Sequence, residues 1–280
     1  MEQKVSDKMK SAVLFVSHVV NDDVVARYRR LRKELPADKY DVVWLMTLSE
    51  GAEPVCPNDV QMVSVRPHDL RALGYTPIAS TIVPGSCHFL PLRFFLGHQA
   101  YRHYWLIEYD VEFTGNWLAL LHDCDTHLQT YDLLACHVER FGINNHDWTW
   151  WHRDNHCGYP TDDCIKAFLP ICRYSHSALA ILDRYLKAGH AAHSEVMVPT
   201  CLHHHDLKIG DIGGNSPFAP NGYRDKYYIQ GPGVNNGTMR WRPAFTKEET
   251  LNSGLENTLF HPVKAKPSSS DCKWTMEYGS

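Results

Sequence analysis

Three acids spaced one residue apart, Glu108, Asp110 and Glu112, close the run Tyr104-Trp105-Leu106-Ile107-Glu108-Tyr109-Asp110-Val111-Glu112-Phe113. Side chains alternate along a strand, so the three can share one side while Tyr109 and Val111 face the other. Carboxylates brought together raise one another's pKa unless a cation lies between them, and a divalent ion is the simplest such partner. Oxygen donors favour Mg²⁺ or Mn²⁺. The competing reading is an edge strand whose acids are merely solvated. The apolar lead-in Tyr104–Ile107 instead implies a central strand that delivers acids to its carboxyl end, where open α/β sheets bind ligands.

The segment Ile107-Glu108-Tyr109-Asp110-Val111, followed by Phe113, resembles the DxD segment of GT-A fold, nucleotide-sugar-dependent glycosyltransferases, with Glu108 in place of the first aspartate. The register Asp110-Val111-Glu112 fits as well, and Asp110 is a candidate metal ligand in either. The resemblance extends to the order of elements over roughly residues 11–265. Leu259-Phe260-His261-Pro262-Val263-Lys264 resembles the carboxyl-terminal segment that completes metal coordination in such enzymes, which implies His261 as a ligand and Lys264 as a contact to the diphosphate. Imidazole is a borderline donor suited to Mn²⁺, and a flexible ammonium neutralises phosphate charge. A surface turn made by His-Pro is the alternative.

His193-Ser194-Glu195-Val196-Met197-Val198-Pro199-Thr200 looks like the acid-bearing helix start that supplies the general base in inverting members, which implies Glu195 for that role. Its alternative is a Ser194 cap with Glu195 in the first helical turn. Ser17, His18 and Asn21 to Asp23 follow the first strand, where the family holds nucleotide base and ribose, and only their position supports them. The resemblance implies a nucleoside-diphosphate sugar donor, expected to be UDP-linked, a Mn²⁺ or Mg²⁺ cofactor, and a glycan or lipid-linked acceptor. Within the family it points towards bacterial enzymes that build surface polysaccharides, galactofuranosyltransferases among them.

Other clusters carry less. Trp148, Trp150 and Trp151 can stack on the apolar faces of sugar rings or fill a core, and we expect one of each use. Arg153 and Asp154 can bind sugar hydroxyls or diphosphate, or pair with each other. His203-His204-His205 on a helix point about 100° apart and cannot chelate one ion together. Cys157 and Cys164 with His152 and His156 allow a zinc knuckle, but no second CxxC supports it. The basic run Arg27, Arg29, Arg30, Arg32 and Lys33 reads as a solvated helix face. Gly213-Gly214-Asn215 and Gly231-Pro232-Gly233 suit loops that close over a donor. GxSxG, HExxH, Rossmann and P-loop fingerprints are missing. Converging carboxylates also serve metal-dependent phosphohydrolases and nucleotidyltransferases, and an inert carbohydrate-binding relative would keep the tryptophans without the metal chemistry.

These residues must be held by elements that the pattern predicts. Ser11–Val20 reads as a β-branched strand, followed by a helix over Val24–Leu35 capped near Asn21 and stopped by Pro36. Strands are predicted over Tyr40–Thr47 and Val60–Val65, and helices over Phe89–Tyr101, Trp117–Leu121, Tyr174–Ala188 and Glu195–His204. Past Gly210 the chain turns rich in Gly, Pro and Asn, so a loop-rich part is expected. The sum is an α/β class, a GT-A-like, Rossmann-related mixed sheet flanked by helices, as one domain over residues 11–266 between a flexible 1–10 and a loosely ordered 267–280.

The 280 residues are 44% hydrophobic and 21% charged, enough apolar side chain to bury a core and too much for disorder. A formal charge of −4 disfavours nucleic acid as a partner. Ser11–Val20 is too short to span a bilayer, and charged residues before it make a secretory signal unexpected, so a cytoplasmic protein with at most peripheral contact at the inner face of a membrane is expected. Nine scattered cysteines, an odd number, suit reduced thiols.

Overall fold

The computed structural model describes residues 9–265 apart from 54–55, 61, 143 and 232–235. The expectations for residues 1–8, for the tail at 267–280 and for Pro232-Gly233 lie outside the described residues. Strand β1 (Ser11–Ser17) leads into helix α1 (Asp22–Glu34), β2 (Tyr40–Thr47), β3 (Met62–Val65), α2 (Pro67–Arg71), α3 (Phe89–Gly97) and β4 (His103–Glu108). A two-residue β5 (Glu112–Phe113), α4 (Trp117–His127), β6 (Leu133–Arg140), β7 (Ile165–Ser175), α5 (His176–Lys187), α6 (Ser194–His204) and β8 (Ile209–Asp211) follow. The remainder holds only β9 (Phe245–Thr246), α7 (Lys247–Asn252), β10 (Leu259–Phe260) and β11 (Val263–Lys264) between long irregular stretches.

Seven strands form one mixed sheet in the order β3-β2-β1-β4-β7-β6-β8. Neighbours pair in parallel except at β7, which runs against both β4 and β6. This is the helix-flanked mixed α/β sheet that the pattern of elements predicts, consistent with a GT-A-like, Rossmann-related fold. The central strands read as continuous apolar runs because both faces are covered. Ala12 and Leu14 pack with Leu92, Phe95, Leu179 and Val196 of α3, α5 and α6, whereas Val13 and Phe15 pack with Val24, Tyr28 and Leu31 of α1 and Leu120 of α4. Asn21 caps α1 by accepting the Val24 N–H at 3.0 Å, and the helix ends before Pro36.

Two predicted elements change. The strand expected through Phe113 stops at Glu108, where the chain turns and the Val111 N–H donates to the Glu108 carbonyl at 3.0 Å. The helix expected from Tyr174 begins at His176, because the residues before it belong to β7. Neither β6 nor β7 stands out in the pattern. Pro170 interrupts β7 and cannot donate to a ladder, and the β6–β7 register shifts on either side of Cys136. Among the described residues no helix is long and apolar enough to cross a membrane.

Candidate metal-centred active site

The site is built where β4 ends. Glu108 closes β4 and Asp110 sits in the turn after it, while the antiparallel pairing of β10 with β5 carries the chain past that turn and sets His261 beside it. The Val263 N–H donates to the Asp110 carbonyl at 2.8 Å, and β11 then presents Lys264. His261 Nε2 lies 3.6 Å from Asp110 Oδ1 and 3.7 Å from Glu108 Oε2. Ligand atoms of Glu108, Asp110 and His261 all fall within 4.8 Å of one another.

Three details fit this group to a cation. His261 Nδ1 lies 2.7 Å from the Arg240 carbonyl, which can only accept, so Nδ1 carries a proton and Nε2 is the nitrogen that faces the carboxylates and can ligate a cation on losing its own. Asp110 Oδ1 is buried with no hydrogen-bond partner, an unusual state for a carboxylate oxygen. The donors are two carboxylates and an imidazole, a set that suits Mn²⁺ or Mg²⁺. Burial works against ionisation of Asp110, but His261 and Lys264, the latter 2.9 Å from Oδ2, outweigh it and hold the carboxyl below its usual range. Burial likewise opposes the His261 charge, and Asp110 and Glu108 overcome it and raise the imidazole. Lys264 is also raised, against its burial, by Asp110 and by Tyr109, to whose Oη it donates at 2.7 Å.

Glu112 does not join them. The alternation that would align it fails because the strand ends at Glu108, and Glu112 turns instead to Arg30 and, at 3.6 Å, to Arg27. The expectation of three converging carboxylates is therefore corrected to two acids and a histidine.

Glu195 stands in the first turn of α6, partly exposed, with its N–H near the His193 ring that caps the helix. Burial pushes its carboxyl up to about 8, the charge of Glu108 adds to this, and Lys166 and His261 offset part of it. Glu195 therefore sits in the field of the Glu108–His261 pair. Ser194 fixes this helix start: its hydroxyl donates to the Gly85 carbonyl at 2.8 Å and lies 2.9 Å from Nδ1 of the buried His88.

The nucleotide-side candidates divide. Ser17 is buried, and its hydroxyl closes a local turn by accepting the Val19 N–H at 3.0 Å. That turn leaves His18 exposed, edge-on to Tyr109 at 5.2 Å, and Tyr109 in turn underlies Lys264. Asn21 is the α1 cap, and Asp23 pairs with Arg27 and Lys247, so these two are occupied by the fold. Arg153 lies with its guanidinium 5.6 Å over Trp150 and 3.6 Å from Asp154. Trp151 is fully buried, while the half-buried Trp150 stacks on His193 at 4.3 Å. Gly213 and Gly214 do not form an open loop: both donate to Asp211, and a Cβ on Gly214 would collide with Tyr228 Oη. The three histidines near the end of α6 go separate ways, His203 to Arg140, His204 to the Asp163 carbonyl and His205 to the Cys201 carbonyl. Cys157 and Cys164 gather no third ligand, so the zinc knuckle is absent among the described residues.

Arg27, read from the sequence as part of a solvated basic helix face, is instead buried. It is 7% exposed, and its Nη1 donates to the carbonyls of Tyr109 at 3.0 Å and Val263 at 3.2 Å, the neighbours of Asp110 and Lys264. It thus ties together the two segments that carry the site. The signal was its place on the helix: position 27 falls on the stripe of Val24, Tyr28 and Leu31, the buried face, where a lone cation needs a purpose.

No protein-family model matches the chain, and no curated protein matches it. Among solved structures it is similar to mouse xyloside xylosyltransferase 1 in its apo form, with a TM-score of 0.41 and 13% identity over 73% of this chain and 85% of that one. Likeness at this level says nothing of activity, and the fold described above rests on the strand order.

Proposed function

We propose that this chain is a metal-dependent glycosyltransferase that moves a sugar from a nucleoside diphosphate, UDP in the first instance, to a hydroxyl of a glycan or lipid-linked acceptor. The reading is carried by the Glu108–Asp110–His261 group with its buried, bare Asp110 oxygen, set at the carboxyl end of a central strand. Residue resemblance to the DxD and carboxyl-terminal His segments supports the same assignment, and it alone supports the galactofuranosyltransferase subfamily. A bound Mn²⁺ or Mg²⁺ held by Glu108, Asp110 and His261 supplies Lewis-acid stabilisation of a departing diphosphate. Lys264 adds positive charge beside Asp110, where negative charge grows on the leaving group. His18 and Tyr109 offer a ring edge and face for the base or ribose. Glu195, once deprotonated, takes the acceptor hydroxyl proton as the hydroxyl attacks, which is the arrangement for inversion.

The test is incubation with UDP-sugars and Mn²⁺, with and without a hydroxyl acceptor. An acceptor-dependent glycoside with equimolar UDP is expected. Free sugar and UDP formed equally well without acceptor would assign the same carboxylates to a phosphohydrolase, and calorimetry that finds no metal-dependent UDP binding would leave an inert carbohydrate-binding relative.

A further inference from the structure

A second reactive group lies outside the carboxylate site. Cys157 and Cys164, seven residues apart, bring their sulfurs to 3.7 Å in a turn that opens after the Trp148–Trp151 segment. Cys157 is buried, while its neighbours in the chain, His156 and Gly158, are exposed. The turn is tightly specified. Gly158 has φ +85°, and a Cβ there would meet the His190 ring and Tyr185 Oη at 2.8 Å. The His156 N–H donates to the Ala191 carbonyl at 2.7 Å, and on the other side Thr200 of α6 exchanges hydrogen bonds with both backbone groups of Ile165. Both cysteines are thus held by flanking structure, and a bond of about 2.05 Å needs the sulfurs to close by only about 1.7 Å, within reach of side-chain rotation.

We propose that Cys157 and Cys164 form a reversible intramolecular disulfide when the protein meets a peroxide, with Cys157 as the attacking thiol and Cys164 as the resolving one. Cys157 has an exposed neighbour on each side, whereas Cys164 is followed by the fully buried Ile165, and this supports the order. The Cys157 N–H is held by the Asn155 side chain at 3.1 Å, and the Cys164 S–H has the Pro160 carbonyl at 3.4 Å as an acceptor besides Cys157. The contact between the two sulfurs lowers the Cys157 thiol to about 7 against its burial, and the same contact raises Cys164. In the first step the Cys157 thiolate attacks one peroxide oxygen, the O–O bond breaks, and the leaving hydroxide takes a proton to become water. The resulting sulfenic acid is attacked by the Cys164 sulfur: the S–S bond forms, the S–O bond breaks, and the oxygen leaves as water with the Cys164 proton. Two thiols lose two electrons and two protons, and one hydrogen peroxide becomes two waters.

The experiment is titration of the reduced full chain with hydrogen peroxide, followed by alkylation and non-reducing peptide mapping. The expected result is a cross-linked peptide containing Cys157 and Cys164, lighter by two hydrogens and restored by dithiothreitol. Cys164→Ser should stop at a sulfenic acid on Cys157 that dimedone traps, and Cys157→Ser should leave Cys164 a free thiol at the same dose. Recovery of both residues as alkylated thiols at doses that oxidise Cys56 would overturn the pairing, as would Cys157 linked to its neighbour Cys201 or driven to sulfinic acid without a cross-link. Mapping of the unaltered protein decides the question even where a variant fails to fold.

Discussion

Two buried aspartates close strands of this molecule and are treated in opposite ways. Asp211, at the end of β8, is saturated: Tyr228 donates to both its oxygens at 2.9 Å, and Ser216, Gly213, Gly214 and Val138 add donors of their own. Asp110, just past β4, has Lys264 on Oδ2 and no hydrogen bond on Oδ1, although it is nearly as buried. A saturated carboxylate organises the chain around it, and here it fixes the turn that Tyr228 links to the strained His137, φ +48°, in β6. A carboxylate left with a bare oxygen beside an imidazole and a second acid is held ready for a ligand that is not part of the chain.

The largest effect should come from exchanging charge at the bare aspartate. Asp110→Asn is expected to lower turnover by roughly 10²–10³, the scale for removing a group that stabilises a leaving anion. Its unfolding free energy should change less than that of Asp211→Asn, because Oδ1 has no hydrogen bond to lose and Lys264 keeps Tyr109 as a partner. Steady-state kinetics with urea denaturation measures both. Asp211→Asn should reverse the pattern. It places an amide N–H₂ among donors and should cost about 3 kcal/mol of stability, with metal affinity kept in the protein that remains folded. If Asp211→Asn proved silent in denaturation while Asp110→Asn unfolded the chain, the contrast would be lost.

The same contrast marks what could be read in the chain. The strand Tyr40–Thr47 and helix α1 were legible because burial on both sheet faces or on one helix stripe writes itself into local periodicity. Strands β6 and β7 were not, since a proline, a bulge and the buried Arg173 disguise strands that only the sheet as a whole explains. Of the candidate residues, Asp110, His261 and Lys264 could be singled out by type and motif, and the fold brings these three together. Glu112 could not be placed, because the decision rests on a three-residue turn that ends the alternation. The saturation of Asp211 was invisible altogether: its donors come from residues up to 73 positions away.

A smaller effect sharpens the comparison at Arg27, which serves Asp110 through the backbone as Tyr228 serves Asp211 through its side chain. Arg27→Ala removes donors from the Tyr109 and Val263 carbonyls and should cost about 2 kcal/mol. A purely structural residue would stop there. A positioning residue should also weaken Mn²⁺ binding, by about tenfold on the scale for outer partners of metal ligands. Arg27→Lys keeps the charge but lacks the fork that spans two carbonyls and Glu112, so it should restore stability more than affinity. Calorimetric Mn²⁺ titration beside thermal melting separates the two outcomes, and unchanged affinity in Arg27→Ala would confine the residue to the fold.

The smallest effect concerns Glu195, an acid that the fold keeps protonated where Asp110 is kept charged. Its carboxyl stands at about 8 in the folded chain against an ordinary 4.5, so across that interval the folded state holds a proton that the unfolded state has released. Stability from this group is therefore present below about 4.5, falls as pH rises, and reaches its floor above about 8, each unit of displacement amounting to about 1.4 kcal/mol. Because part of the side chain touches solvent, we expect about 1–2 kcal/mol in all. Glu195→Gln cannot ionise, so its unfolding free energy should match the parent near pH 5 and exceed it by that amount near pH 9. It should retain UDP binding and lose transfer, since the amide accepts no proton from the acceptor hydroxyl. Urea denaturation across pH, paired with UDP calorimetry, checks both halves. Parallel pH profiles for the two proteins would mean that Glu195 ionises as freely as an exposed acid, and the base would have to be sought elsewhere.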